Sequence, residues 1–220
     1  MTSIKQKFNN NNIIKRFLSI LIMMPTALLI FNASNLIFAA VFIILAAIML
    51  HEWIAIVGGK KNSIRWLLVG FFYITVAVLS LIYLKSTDKA LIYYLFICIW
   101  ATDIGAYLFG ILIGGPKLAP KISPSKSWSG AIGGLVLSTA MIAIIVHFNI
   151  MHFEKLIYLT PVISVAGQIG DLLESYFKRL FSVKDSGKLI PGHGGALDRM
   201  DSIMLAAPVL SLIIYLARNL

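Results

Sequence analysis

Apolar residues in this chain come in long runs separated by short polar connectors. Seven runs approach the length that a bilayer demands: residues 13–31, 35–57, 64–84, 90–113, 127–148, 155–174 and 202–218. About 20 residues rising 1.5 Å each cross a hydrocarbon core roughly 30 Å thick. A backbone inside lipid must satisfy its own hydrogen bonds, and a helix does so within one segment. The pattern predicts an all-α, polytopic integral membrane protein of about seven transmembrane helices. These spans use almost all of the 220 residues, so a single transmembrane domain over 1–220 is expected. Residues 1–12, which end in a run of asparagines, read as a disordered lead-in. The first run has a basic flank like that of a signal peptide, but no small-residue cleavage site follows closely. Asn32 to Asn35 reads as a turn into the second span, so the first run is kept as a membrane helix.

Composition agrees with the pattern: mean hydropathy is +0.90, with 59% hydrophobic and 13% charged residues. A formal charge of +10 invites comparison with nucleic-acid binders, yet its distribution follows the spans. With the amino terminus in the cytoplasm, 15 of the 19 Lys and Arg fall on the cytoplasmic side, and only Lys85, Lys89, Lys155 and Arg218 lie outside it. The reverse orientation inverts this bias, so the positive-inside rule predicts a cytoplasmic amino terminus. Basic charge here is mostly topology, with some left for anionic ligands and lipid head groups. No nucleic-acid partner is expected. The single cysteine, Cys98, lies within the fourth span and has no disulfide partner.

The polar residues collect on one side. The outer connectors are short, whereas the two expected cytoplasmic loops, 114–126 and 175–201, are rich in Gly, Pro and basic residues. Of nine acidic residues, Glu52, Asp103, Asp171, Glu174, Asp198 and Asp201 lie in spans or at their cytoplasmic ends. Asp103 is about ten residues from the inner end of its span, hence roughly 15 Å deep. A carboxylate there is costly unless paired, hydrated or bound to a cation, which makes it a functional candidate; an internal hydrogen bond is the alternative. Glu52, beside Trp53, is open to either reading.

Asp171, Glu174, Ser175 and Lys178 fall at i, i+3, i+4 and i+7, one face of a helix leaving the membrane. Asp198, Asp201 and Ser202 stand at the start of the seventh span. Capping explains one such carboxylate, but not two acidic helix ends flanking a glycine-rich loop. Oxygen ligands from separate elements suit Mg2+. Between them run Lys184, Asp185, Gly187, Pro191, Gly192, His193, Gly194 and Gly195. Glycines allow consecutive amides to turn toward an anion, and a helix start adds its dipole. His193 is a candidate for chemistry or for structure. Metal ligands, basic residues and an anion nest at one membrane face point to phosphate chemistry on a membrane-borne substrate.

The segment from Ser175 to Asp201, SYFKRLFSVKDSGKLIPGHGGALDRMD, closely resembles the signature of the phosphatidate cytidylyltransferases, or CDP-diacylglycerol synthases. That signature reads S-x-x-K-R, then K-D, then H-G-G-x-x-D-R-x-D. Here it is met by Ser175, Lys178, Arg179, Lys184, Asp185, His193, Gly194, Gly195, Asp198, Arg199 and Asp201. GQIGDLLES (Gly167–Ser175) and ATDIGAYLFG followed by KLAPKISPSKSW are also similar to the family, the latter carrying Ser123, Pro124 and Lys126. The likeness covers about 100–202. Ser129 stands where the family usually has Glu, and Ile111 where a basic residue is common. The chain is also short for the family.

The resemblance implies the reaction of CTP with phosphatidate to give CDP-diacylglycerol and pyrophosphate, with Mg2+ as cofactor, in phospholipid biosynthesis. It assigns Asp171 and Asp198 as metal ligands. Lys178, Arg179 and Arg199 would neutralise the triphosphate, with amides from Gly194 and Gly195. Ser123 and Lys126 would contact phosphates of nucleotide or lipid. Lys184, Asp185, His193, Glu174 and Asp103 are supporting candidates. A homodimer in the cell's inner (cytoplasmic) membrane, its site facing the cytoplasm, completes the expectation. A CTP-dependent polyprenol or phytol kinase is the alternative within the same chemistry. A transporter is the alternative of another class, though its polar residues would line a path rather than one face.

Overall fold

The computed structural model describes residues 24–58, 63–151, 153–187 and 194–219. Residues 24–32 are helical (α1), and a short break at Ala33 and Ser34 leads into α2, Asn35–Val57. There follow α3 (Ser63–Thr87), α4 (Lys89–Leu112), a hairpin of β1 (Lys117–Ala119) and β2 (Ser123–Ser127), α5 (Trp128–His147), α6 (Thr160–Leu180) and α7 (Leu197–Asn219). Among the described residues, α2, α3, α4, α5 and α7 are long and apolar enough to cross a membrane. Only 33–39% of each spanning window is buried inside the protein. The remaining faces present Leu36, Ile43, Phe72, Leu79, Ile104 and Leu112 outward. In water such a surface would aggregate; in a bilayer it is the solvated one. This is an all-α polytopic membrane protein.

Local sequence sets where each helix begins. Ser34 Oγ accepts from Ile37 N (3.3 Å), an Asp88 oxygen from Ala90 N (2.8 Å) and Ser127 Oγ from Gly130 N (3.2 Å). Each satisfies one of the donors that a helix start leaves free. In α6, Pro161 occupies the first turn, where its missing N–H is not needed.

Two expectations change, and a third falls mostly on residues not described. Most of the first expected run, 13–31, lies outside the described residues, and only its end is seen, as α1. The run expected at 155–174 is instead turn and 3-10 helix up to Leu159, and then α6 from Thr160 to Leu180. With Gln168, Asp171, Glu174, Lys178 and Arg179 in its second half, α6 is long enough to span but not among the apolar spans. The reason is that its polar face is covered by protein rather than by lipid. The 114–126 connector is also more regular than expected, since β1 and β2 pair antiparallel, Lys117 opposite Ser127 and Ala119 opposite Ser123.

Helices α4 and α5 pack closely because glycines line both sides of their contact. A Cβ on Gly134 would sit 2.7 Å from Thr102 O, and one on Gly105 2.6 Å from Gly133 O. The helices alternate in direction, so the C-terminal ends of α2, α4 and α6 meet the N-terminal ends of α3, α5 and α7. Trp53 of α2 marks that end: its ring stacks on Phe177 of α6 (3.6 Å between centroids, 11°), and its Nε1 donates to Trp66 O of α3 (2.8 Å).

Candidate active site

The site is built where α4, α6 and α7 bring their carboxylates to the hairpin and the α7 start. Spacing along α6 does what its period requires. Ser175 Oγ donates to Asp171 Oδ1 (3.4 Å), and Lys178 Nζ to Glu174 Oε2 (3.3 Å). Tertiary contacts then extend each pair. Asp171 Oδ2 forms an ion pair with Lys126, delivered by β2. Lys178 Nζ reaches across to Asp198 Oδ1 of α7 at 2.5 Å. Two lysine–aspartate bridges thus tie α6 to the hairpin on one side and to α7 on the other.

Asp198 is more heavily engaged than a simple ion pair. Its Oδ2 accepts from Ser186 N (2.9 Å) and Gly195 N (2.9 Å), and shares the single Ser186 hydroxyl proton, 3.0 Å away, with Glu52. Gly194 adopts φ +83°, and a Cβ there would meet the Asp198 carboxylate, so glycine is required. The Gly195 amide is therefore taken by the protein's own carboxylate. Asp201, one turn further along α7, is within the electrostatic reach of Asp103, Asp171, Lys126 and Lys178. Arg199 is exposed, and its charge acts on Asp103. Glu174 is 4% exposed, and its Oε1 is buried with no hydrogen-bond partner among the described residues.

A cavity of about 530 Å³ opens beside these groups. Asp103, Lys126, Gln168 and Asp171 supply its charged and polar wall, and Tyr107, Ile111 and Leu118 an apolar one. Gln168 Nε2, held by Ala131 O (3.2 Å), is a lining residue that spacing alone did not single out. Ile111, in the place of a basic residue, contributes to the apolar wall. Ser129, in the place of Glu, donates to Gly114 O and pins the hairpin base.

The other expected site residues sort as follows. Ser123 opens β2 and lies outside the cavity lining, whereas Ser125 and Ser127 are in it. Arg179 points to the hairpin turn: Nε donates to Ile122 O and Nη1 to Val183 O, both at 3.2 Å. Lys184 and Asp185 are exposed ahead of Ser186 and outside the cavity lining. His193 lies outside the described residues. What sequence reading left undecided is Glu52. It is 6% exposed and accepts from Ser186 Oγ, Ala196 N and Leu197 N. The signals available were a carboxylate at the cytoplasmic end of an apolar run and its neighbour Trp53.

A family model described as "Cytidylyltransferase family" matches residues 62–217. The chain belongs to that family. Curated relatives agree. One is the phosphatidate cytidylyltransferase of Rickettsia bellii, 40% identical over 217 residues, which are 94% of this chain and 91% of the relative. The protein of the same name from Rickettsia felis is 38% identical over 213 residues, 92% of each chain. The one from Staphylococcus saprophyticus is 42% identical over 163 residues, 70% of this chain and 62% of the relative. All the groups that form the two bridges and line the cavity lie within the matched span. The chain is thus a membrane-embedded nucleotidyltransferase of the cytidylyltransferase family. The resemblance read from the 175–201 signature is borne out.

Proposed function

We infer that this enzyme condenses CTP with phosphatidate, giving CDP-diacylglycerol and pyrophosphate. The observation that carries the reading is the cavity itself. It joins a lysine–aspartate bridge to an apolar wall at the helix end, as an anionic head group with acyl chains requires. A phosphatidate phosphate oxygen attacks the α-phosphorus of CTP, a P–O bond forms, and the bond to the leaving pyrophosphate breaks. The nucleophile is already anionic, so no serine or cysteine needs activation. Catalysis then rests on alignment and on neutralising two anions brought together.

Lys126 holds a substrate phosphate once it leaves Asp171, while Lys178 and Arg199 offset triphosphate charge. Mg2+ suits the donor set. Asp171 and Asp198 each already hold an ammonium, Asp201 adds its charge, and Glu174 Oε1 is buried with no partner among the described residues. Among the described residues no three carboxylates converge on one ion, so Asp171 and Asp198 would hold it as a pair, leaving room for phosphate oxygens and water. When bound, it would supply charge neutralisation to the phosphates and to the leaving pyrophosphate. The enzyme sits in the cytoplasmic membrane with this helix end facing the cytoplasm, where CTP is available; the positive-inside distribution supports that orientation. A homodimer is taken from the family resemblance.

Labelled CTP tests the reaction. With phosphatidate present, label at the α-phosphate passes into the organic phase and label at the γ-phosphate does not. Transfer of the γ-label to a lipid alcohol would establish the kinase instead. If neither label enters lipid, both readings fail.

A further inference from the structure

The carboxylate of Glu52 belongs to α2, yet its hydrogen-bond partners among the described residues are Ser186, Ala196 and Leu197, at the entry to α7. Oε1 accepts from Ala196 N (2.9 Å), and Oε2 from Leu197 N (3.0 Å) and Ser186 Oγ (3.0 Å). Ala196 and Leu197 carry two of the amides that the first turn of a helix leaves without intrahelical partners. Their capping therefore comes from a residue 144 and 145 positions away. A negative charge also meets the positive end of the helix dipole there. Space has been kept for the contact: a Cβ on Gly195 would meet Glu52 Oε1 and Oε2 at 2.5 Å, and one on Gly187 would meet Oε1 at 2.7 Å.

The same Ser186 hydroxyl lies 3.0 Å from Glu52 Oε2 and 3.0 Å from Asp198 Oδ2. Glu52 is thus joined through Ser186 to Asp198, and through Asp198 to Lys178. The next residue, Trp53, stacks on Phe177, the neighbour of Lys178. One dipeptide of α2 therefore seats both partners of the Lys178–Asp198 bridge, Glu52 from the α7 side and Trp53 from the α6 side. We propose that Glu52 is a positioning residue, an interhelical clamp that caps α7 from α2 and sets Asp198 and Lys178 for catalysis. Glu52 is not among the residues that line the cavity, so it acts through Asp198 and Lys178. The proposal rests on the nucleotidyl-transfer reading above.

Glu52→Gln keeps length and shape but puts an amide donor against donors. Misplacing a catalytic constellation by an ångström costs up to about 100-fold, so kcat of this variant falls by about 10- to 100-fold. KM for CTP and phosphatidate stays within about threefold, because uniform binding is not what is lost. Hydrogen exchange provides a readout independent of turnover: the amides of Ala196 and Leu197 lose protection while those of α4 and α5 keep theirs. Ser186→Ala, which removes only the bridging hydroxyl, serves if Glu52→Gln does not fold. It lowers kcat in the same direction, and the double variant is no worse than Glu52→Gln alone, because the two groups act as one unit.

Wild-type kcat in folded Glu52→Gln, or in Ser186→Ala where Glu52→Gln does not fold, overturns the proposal. So does a kcat loss with Ala196 and Leu197 still fully protected, since Glu52 would then act elsewhere. If the wild-type enzyme forms no labelled lipid from CTP, the reading of the reaction fails instead, and the exchange measurement still decides the clamp.

Discussion

Replacing Asp198 with Asn removes charge while keeping shape, and the geometry sets what that costs. Asp198 Oδ1 faces the Lys178 ammonium at 2.5 Å, and Oδ2 faces the amides of Ser186 and Gly195, both at 2.9 Å. All three neighbours are pure donors. Whichever way the new side chain turns, its NH2 group meets at least one of them. Among the described residues, Lys178 keeps Glu174 as its one carboxylate partner, at 3.3 Å. A hydrogen bond to a charged group contributes about 1.5–3 kcal/mol, and tenfold per 1.4 kcal/mol converts that to a roughly 10- to 150-fold loss in kcat/KM. Removing a metal ligand at the same time would push the loss beyond that range and raise the Mg2+ needed for half-maximal rate. The assay is transfer of α-labelled CTP to lipid by purified variant in mixed micelles with phosphatidate, titrated with Mg2+. Thermal unfolding in the same detergent checks the fold. If Asp198 served only to cap α7, Asn would do nearly as well. Activity within about twofold of wild type would therefore refute both the bridge and the metal assignment.

Further tests reach other parts of the site. Asp171→Asn should also lose activity and demand more Mg2+, and the Asp171→Asn/Asp198→Asn double variant should be little worse than either single one, because ligands of one ion act as a unit; multiplying losses would separate them. Lys126→Ala should raise KM for CTP or phosphatidate in a folded protein, and an unchanged KM for both would leave β2 a mere connector. Cysteines placed at 114–126 or 182–187 should label only from the cytoplasmic side and those at 86–88 only from outside, so the opposite pattern would overturn the orientation. Gly134→Leu should lower thermal stability by forcing α4 and α5 apart at Thr102, at a cost of about 1–3 kcal/mol or more; an unchanged melting temperature would show that this contact yields freely.

The apolar runs by themselves determined that the chain is a helical membrane protein, because a backbone in lipid must satisfy its own polar groups and unbroken runs of about 20 residues fit a helix rather than a barrel strand. Their limits were legible to within a few residues for α2, α3, α4 and α5, where apolar runs meet capping residues such as Ser34, Asp88 and Ser127. The i, i+4 pairs on α6 were equally legible, since helical period alone makes Asp171 meet Ser175 and Glu174 meet Lys178. The 175–201 signature carried the family, because that chemistry is concentrated in one stretch of chain. Position across the bundle was not in the pattern. Spacing said that Asp198 and Lys178 stood near a loop, but only packing showed them bridged, with Asp171 turned instead to Lys126 from the hairpin. Nor does a periodicity argument distinguish lipid from protein as the cover of a helix face, which is why the polar half of α6 was cut short at 174. Glu52 shows the limit most plainly. Its neighbours in sequence are a histidine and a tryptophan, whereas the amides it caps lie about 145 residues on, brought to it only when the end of α2 meets the start of α7.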